Sequence, residues 1–184
     1  YPDAIELYLD SYFSAMADAD IFSGAVLLAR DGKVLFEGAY VLANHVSKEQ
    51  LTPDSRFRLA SVTKMFTGIA ITQLAEAGKL KFDDPISKHI REYPRHIAKK
   101  VTIHQLLTHQ SGIELDDYRR YNRDVRKAES IEDLLAAQLK HIEHLNGGNY
   151  ENFQSLGSYD YTNEGIDLLG VIIERVSGQS WPEY

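Results

Sequence analysis

Residues 57–67 read FRLASVTKMFT, and Ser61-Val62-Thr63-Lys64 inside them combine a hydroxyl and an amine at helical spacing. On a helix, positions i and i+3 share a face, so Ser61 and Lys64 can lie within hydrogen-bonding range. A free serine is a poor nucleophile and needs a neighbouring base. A lysine can be that base once burial or nearby positive charge lowers its pKa. The stretch predicts a serine activated without histidine.

The flanking residues predict that Ser61 lies near a helix N-terminus. A turn at 52–56 and an extended run at 57–60 precede a helical apolar pattern that ends at Gly78, which suits the C′ position. The pattern consists of Met65, Ile69 and Leu74 with Ala70, Ala75 and Ala77. Backbone N–H groups at a helix N-terminus can help to hold an oxyanion. The alternative is a helix-capping serine with a surface lysine, because S-x-x-K alone is expected about once by chance.

Composition assigns the chain to the globular proteins. Its 184 residues suffice for one domain with a core, or for a larger domain with a piece missing. The formal charge of −7 and the dispersed basic residues argue against a nucleic-acid partner. No apolar run reaches the length of a membrane span. Cysteine is absent, which excludes disulfides, zinc–thiolate sites and thiol catalysis.

The spacing of the histidines does not suggest a metal site. His141 with His144, and His104 with His109, are the pairs that invite a metal interpretation, but no H-E-x-x-H and no well-spaced third ligand accompany them. We therefore expect surface or hydrogen-bonded histidines and no cofactor.

The chain opens at Tyr1, which is compatible with a removed secretory signal or a trimmed N-terminus. We expect an extracytoplasmic location, periplasmic or secreted.

The first 60 residues predict a helix and a hairpin. The helix begins at Pro2-Asp3 and ends near residues 18–20, and one face carries Ile5, Tyr8, Leu9, Tyr12, Phe13 and Met16. The β-prone runs 24–30 and 33–40 flank Asp31-Gly32, which predicts a type I′ turn. These runs alternate poorly and look buried on both faces. A loop through Asn44-His45 leads to the next helix.

Residues 61–184 predict the nucleophile helix and a mainly helical region. Further helices are expected at 86–93, at 103–109 with Thr102 as cap, at about 130–145, and after Asn163 as cap up to Gly178. A polar stretch at 116–126 leads to the helix at about 130–145, and a loop is expected at 147–157. A lone hairpin is only marginally stable in water, and the sequence shows no third strong strand after it. We therefore expect an incomplete single catalytic domain whose remaining sheet strands are absent.

Tyr161-Thr162-Asn163 is a candidate partner of the serine and lysine. A tyrosine hydroxyl can relay a proton if a nearby cation lowers its pKa, and an asparagine amide can bind a substrate carbonyl or orient a lysine. The competing match, Tyr150-Glu151-Asn152, has no following apolar helix to hold it. The alternative is that Asn163 is only a helix cap and Tyr161 a packing aromatic.

Several ordered motifs together resemble the serine β-lactamase and penicillin-binding-protein superfamily, in the branch of class C β-lactamases, D-alanyl-D-alanine carboxypeptidases and related esterases. They are FRLASVTKMFT at 57–67, GKL at 78–80 with Asp84-Pro85, TIHQLLTHQSG at 102–112, YTNEGIDLLG at 161–170, and Ser177-Gly178. The resemblance runs from about Phe22 to the C-terminus. It implies an α+β, β-lactamase/transpeptidase-like fold.

The resemblance also implies roles for four residues. Ser61 would be the acylated nucleophile, and Lys64 would take or position its proton. Tyr161 would assist proton transfer to the leaving group, and Asn163 would contact the substrate and Lys64. Whether Lys64 or Tyr161 is the base stays open, because their titrations are expected to be coupled.

The sequence departs from the family in three places. The Lys-Thr-Gly-like triad, which in the family lies on a later strand and gives the second oxyanion N–H, occurs nowhere in the chain. Leu156-Gly157 stands where relatives often have Pro-Gly. Asp160 beside Tyr161 is expected to raise the tyrosine pKa and so oppose its activation.

Three hypotheses follow. The first is a serine hydrolase that acts on a β-lactam, a D-Ala-D-Ala peptide or an ester through an acyl-enzyme, with very slow or no turnover by this chain alone. The second is a penicillin- or peptide-binding or sensing module that acylates without turnover, or binds without chemistry. The third is a fragment whose site is completed by another polypeptide, either a C-terminal half or a second protomer.

Overall fold

The computed structural model describes residues 2–44, 46–113, 123–144 and 156–184. The predictions for His45, for most of the polar stretch at 116–126, for Leu145 and for Gly147-Gly148 and Tyr150-Glu151-Asn152 lie outside these residues. The chain divides into two compact units, Tyr1–Leu59 and Ala60–Tyr184. No described helix is long and apolar enough to cross a membrane.

The first unit contains the predicted helix and hairpin. Helix α1 spans Pro2–Asp18, and strands β1 (Gly24–Arg30) and β2 (Lys33–Tyr40) pair antiparallel. Asp31 and Gly32 both have positive φ, at 51° and 74°, as a type I′ turn requires. The hairpin prediction is therefore confirmed.

The hairpin is not buried on both faces, so that expectation is wrong. Phe36 and Tyr40 are buried on one face, where the ring of Phe13 in α1 packs against both. The cross-strand pair Leu27 and Glu37 lies on the opposite face, and Leu27 is 62% exposed. The poor alternation of the sequence reflects apolar residues that remain in contact with solvent on this second face.

Two short strands were not predicted. Strands β3 (Leu42–Asn44) and β4 (Glu49–Gln50) form a second two-stranded sheet where the sequence predicted only a loop. The Asn44 side chain accepts hydrogen bonds from the N–H groups of Val46 and Ser47, which stabilises the turn between them. Strands this short, without a β-branched run, carry little signal.

The second unit is helical and is built around its last helix. A 3₁₀ turn at Ala60–Val62 leads directly into α2 (Thr63–Glu76), and the other helices are α3 (Arg95–Ala98), α4 (Ile103–Leu107), α5 (Ile131–His144) and α6 (Glu164–Ser177). Helices α2, α4 and α5 each pack against α6. The side chains of α6 that lie wholly inside this core are Leu168, Leu169, Val171, Ile172 and Ile173. The helix that follows Tyr161-Thr162-Asn163 is thus a rigid support.

Three helix predictions need correction. The helix predicted at 86–93 is a single 3₁₀ turn, Ile86–Lys88, closed by bonds from the Lys88 N–H to the Pro85 carbonyl and from the His89 N–H to the Ile86 carbonyl. The helix predicted at 103–109 ends at Leu107, since His109 has φ +55°. In α2 the buried face carries Thr67, Ala70, Ile71 and Leu74, whereas Met65 and Ile69 are exposed.

Candidate active site

Ser61 lies in the 3₁₀ turn that opens α2, one turn before Lys64. The Lys64 Nζ atom donates to Ser61 Oγ over 3.3 Å. Ala60, directly before the serine, has φ +47°, a conformation that alanine rarely adopts, so the chain turns sharply as it enters the helix. The i, i+3 spacing thus brings the hydroxyl and the amine together as the sequence predicted.

Tyr161 and Asn163 join this pair from a segment one hundred residues away. The Tyr161 hydroxyl donates to Ser61 Oγ over 2.7 Å, and Lys64 Nζ donates to Asn163 Oδ1, also over 2.7 Å. Lys64 Nζ lies 4.9 Å from the centre of the Tyr161 ring. The four predicted residues therefore meet around one hydroxyl, and each of their roles stays a prediction.

Asn163 occupies the N-cap position of α6, but its side chain makes no capping hydrogen bond. The interpretation of Asn163 as only a helix cap is therefore wrong, because its amide oxygen accepts from Lys64 instead. Tyr161 is likewise not simply a packing aromatic, since its side chain is 46% exposed and its hydroxyl reaches Ser61.

The segment that carries Tyr161 is held by the chain that follows α4. The N–H of Gly157 donates to the Gln110 carbonyl, and the N–H of Asp160 donates to the His109 carbonyl, at 2.9 and 2.8 Å. On the other side, the buried Gln138 amide of α5 donates to the Glu164 carbonyl at 2.8 Å. The position of the Tyr161 hydroxyl is thus set by contacts with the segment that follows α4 and with α5.

The electrostatics favour ionisation of Tyr161. Its interaction with the Lys64 ammonium, and then its bond with Ser61, lower the pKa of Tyr161 below 10, although partial burial acts against them. The expected effect of Asp160 on Tyr161 is not found. Asp160 instead opposes the lowering of the His109 pKa and adds to the burial that raises the pKa of Glu164.

His109 is the residue that sequence reasoning missed at this site. Its imidazole centre lies 4.5 Å from the Tyr161 ring centre, and its Nδ1 atom accepts from the N–H of Thr162 at 3.4 Å. The available signal was its position between the end of a capped helix and Ser111-Gly112, inside one of the ordered motifs. Within the part of the chain described, no three His, Asp or Glu side chains are grouped to hold a metal ion.

Residues 9–184 match the family model described as Beta-lactamase, so the chain belongs to the β-lactamase family. It is 32% identical over 180 residues to penicillin-binding protein 4* of Bacillus subtilis, covering 96% of this chain and 38% of that protein. The crystal structure of a penicillin-binding protein from Bacillus halodurans is 34% identical with a TM-score of 0.70, covering 92% of this chain and 49% of that one.

The structure of FmtA from Staphylococcus aureus has the same fold, with a TM-score of 0.76 at 23% identity, covering 96% of this chain and 45% of that one. The expected α+β, β-lactamase/transpeptidase-like fold is therefore confirmed. The chain spans less than half the length of each of these three proteins.

Proposed function

We propose that this chain carries the nucleophile, and the groups that move its proton, of a serine hydrolase that works through an acyl-enzyme on Ser61. The observation that supports the proposal most is that Ser61 Oγ lies 2.7 Å from the Tyr161 hydroxyl and 3.3 Å from Lys64 Nζ. A serine with two titratable groups in reach can lose its proton as it attacks a carbonyl.

The reaction has two halves. Ser61 Oγ attacks the carbonyl carbon of an amide, β-lactam or ester, and its proton passes to Lys64 or Tyr161. The same pair returns a proton to the departing nitrogen or oxygen, which leaves an ester on Ser61. Water then attacks that ester and releases the acid. Asn163 holds Lys64 in place with its amide oxygen, and its amide hydrogens are suited to a substrate carbonyl.

The oxyanion requires its own donors. The N–H of Ser61 at the start of α2 suits one, and the Lys-Thr-Gly triad that supplies the other in the family does not occur in this sequence. Removing one oxyanion donor costs about 10²–10³ in rate. We therefore expect slow acylation and very slow or no turnover by the 184-residue chain.

Two alternatives use the same nucleophile. A penicillin-binding or sensing module would acylate Ser61 and keep the acyl group. Alternatively, a C-terminal half or a second protomer would supply the second oxyanion donor. Penicillin is a β-lactam, so the names of the two penicillin-binding relatives favour a β-lactam as substrate.

Labelling with a fluorescent penicillin, together with turnover of nitrocefin and p-nitrophenyl acetate, tests the proposal. The wild-type chain is expected to become labelled over hours, and Ser61→Ala is expected to lose the label. Ser180→Ala, which removes an exposed serine from the C-terminal turn, is the matched control and should label normally.

The time course separates the alternatives. A label that decays slowly with product release supports the hydrolase. A label that persists is expected both for the sensing module and for a site completed by another polypeptide, and only the latter gains turnover when that polypeptide is added. Robust turnover by the chain alone would contradict the need for another oxyanion donor, and equal labelling of Ser61→Ala would contradict the proposed nucleophile.

A further inference from the structure

His109 forms hydrogen bonds with the residues before and after Tyr161, and its ring packs against the Tyr161 ring. Its carbonyl accepts from the N–H of Asp160, the residue before Tyr161, at 2.8 Å. Its Nδ1 accepts from the N–H of Thr162, the residue after Tyr161, at 3.4 Å. Its ring packs on the Tyr161 ring at 4.5 Å with an interplanar angle of 38°. These three contacts fix the backbone and the ring of Tyr161 together.

We propose that neutral His109 is a positioning residue that holds the Tyr161 hydroxyl on Ser61, and that protonation of His109 weakens this hold and slows acylation. The effect on acylation rests on the proposed function. The effect on the position of Tyr161 does not, because it follows from the contacts alone.

The hydrogen bond to Thr162 requires an unprotonated Nδ1. A neutral imidazole has one nitrogen acceptor, whereas an imidazolium donates from both nitrogens and cannot accept from an N–H. Protonation therefore replaces an attraction between His109 and the Thr162 N–H with a repulsion. Because Thr162 is adjacent to Tyr161, the backbone around Tyr161 then keeps only one of its two hydrogen bonds to His109, the one from the Asp160 N–H.

The groups that face His109 come from two segments. Lys64 on α2 brings positive charge, while Tyr159, Asp160 and Tyr161 belong to the segment that precedes α6; the Tyr159 ring meets the imidazole edge-on at 6.1 Å. Burial of the ring and then the Lys64 charge lower the pKa of His109 from its ordinary value. Protonation of His109 is therefore shifted to a more acidic pH than that of an ordinary imidazole.

Two substitutions separate the acceptor from the ring. His109→Asn suits the positive φ and keeps an acceptor oxygen near the position of Nδ1, but does not titrate. His109→Phe keeps a ring against Tyr161 but offers no acceptor to Thr162. Circular dichroism and urea unfolding of both variants identify any loss of folding before the functional measurements are compared.

The experiment measures the rate of Ser61 acylation by p-nitrophenyl acetate from pH 4.5 to 8, and the backbone ¹⁵N–¹H signal of Thr162 over the same range. For the wild type, we expect the acylation rate to fall and the Thr162 signal to shift together as the solution is acidified and His109 is protonated. The midpoint is expected at a lower pH than that of an ordinary histidine. His109→Asn should lose the part of the acidic limb that follows the Thr162 signal and keep the part due to protonation of Lys64 or Tyr161. His109→Phe should be slower at every pH, by about 10²-fold if Tyr161 moves by about 1 Å.

The outcomes are decisive for the two claims separately. An acidic limb unchanged in His109→Asn, or a Thr162 signal that does not follow the His109 imidazole, overturns the proposal. If no variant is acylated, the proposed function fails, and the Thr162 signal alone still decides whether His109 holds the Tyr161 segment: a shift that follows the imidazole supports it and its absence overturns it.

Discussion

Ser61 Oγ accepts hydrogen bonds from both Tyr161 and Lys64, which sets a condition on the chemistry. Neither partner can take the serine proton while it is still protonated itself. One of them must first lose its own proton, to give either a phenolate or a neutral amine. The hydrogen bond with Lys64, the main cause of the lowered pKa of Tyr161, makes the phenolate accessible at a lower pH than in an ordinary tyrosine.

Replacing the Lys64 ammonium is expected to raise the pKa of Tyr161 back towards its ordinary value, because the hydrogen bond with Lys64 is the main cause of the lowering and the Lys64 charge adds to it. Lys64→Gln tests this, and Lys79→Gln, which neutralises an exposed lysine just beyond the other end of α2, is the control. Since the chain has 11 tyrosines, the measurement is the difference in phenolate absorbance between each protein and its Tyr161→Phe counterpart across an alkaline titration. An identical Tyr161 titration in Lys64→Gln and the wild type would refute the electrostatic coupling.

Local sequence spacing predicts some of the contacts among the four site residues and not others. Ser61 and Lys64 are one turn apart, so helical spacing alone brings them together. Tyr161 and Asn163 lie about one hundred residues further on; their side-chain chemistry makes them candidate partners, and the resemblance implies their roles. His109 was overlooked because histidines were weighed as metal ligands, and its role depends on a ring contact and a backbone N–H that no spacing encodes.

Helix α2 shows how far a sequence pattern identifies a helix without identifying its buried face. Its end at Gly78, with φ +70°, was predicted correctly. The face was not, because apolar residues lie all around this helix, from Met65 and Ile69 on one side to Ile71 and Leu74 on the other. Only packing against α6 decides which of them is buried.

Two isoleucines of α2 give a matched test of that correction. Ile71 is wholly buried and Ile69 is 54% exposed. Ile71→Ala should destabilise the protein by about 2–5 kcal/mol, through lost burial and a cavity. Ile69→Ala should change the free energy of unfolding by less than about 1 kcal/mol, as exposed positions usually do. Urea unfolding of both variants measures the difference, and equal losses would contradict the assigned face.

The other differences between prediction and structure also lie at short elements. The turn after Asp84 is a single 3₁₀ turn closed by local i→i−3 bonds, and β3 and β4 form without a strong strand pattern. Elements of two or three residues are too short to show a period that a sequence pattern could identify. The longer helices and the hairpin were predictable because their periodicity and their turn residues agree.

For the molecule as a whole, membership of the β-lactamase family and the cluster around Ser61 point to the same chemistry. The family match covers residues 9–184, yet the chain spans only 38% of penicillin-binding protein 4*. The nucleophile and the groups proposed to move its proton all lie within the unit Ala60–Tyr184. Acylation can therefore be examined on this chain, whether or not turnover follows.

The most direct test of the central claim is to locate the acyl group itself. The protein is incubated with excess penicillin, digested, and analysed by tandem mass spectrometry beside Ser61→Ala. We predict a single acyl adduct on the peptide that carries Ser61, and none on the variant. An adduct on another residue at the same level in both proteins, or no adduct after prolonged incubation, would contradict the account.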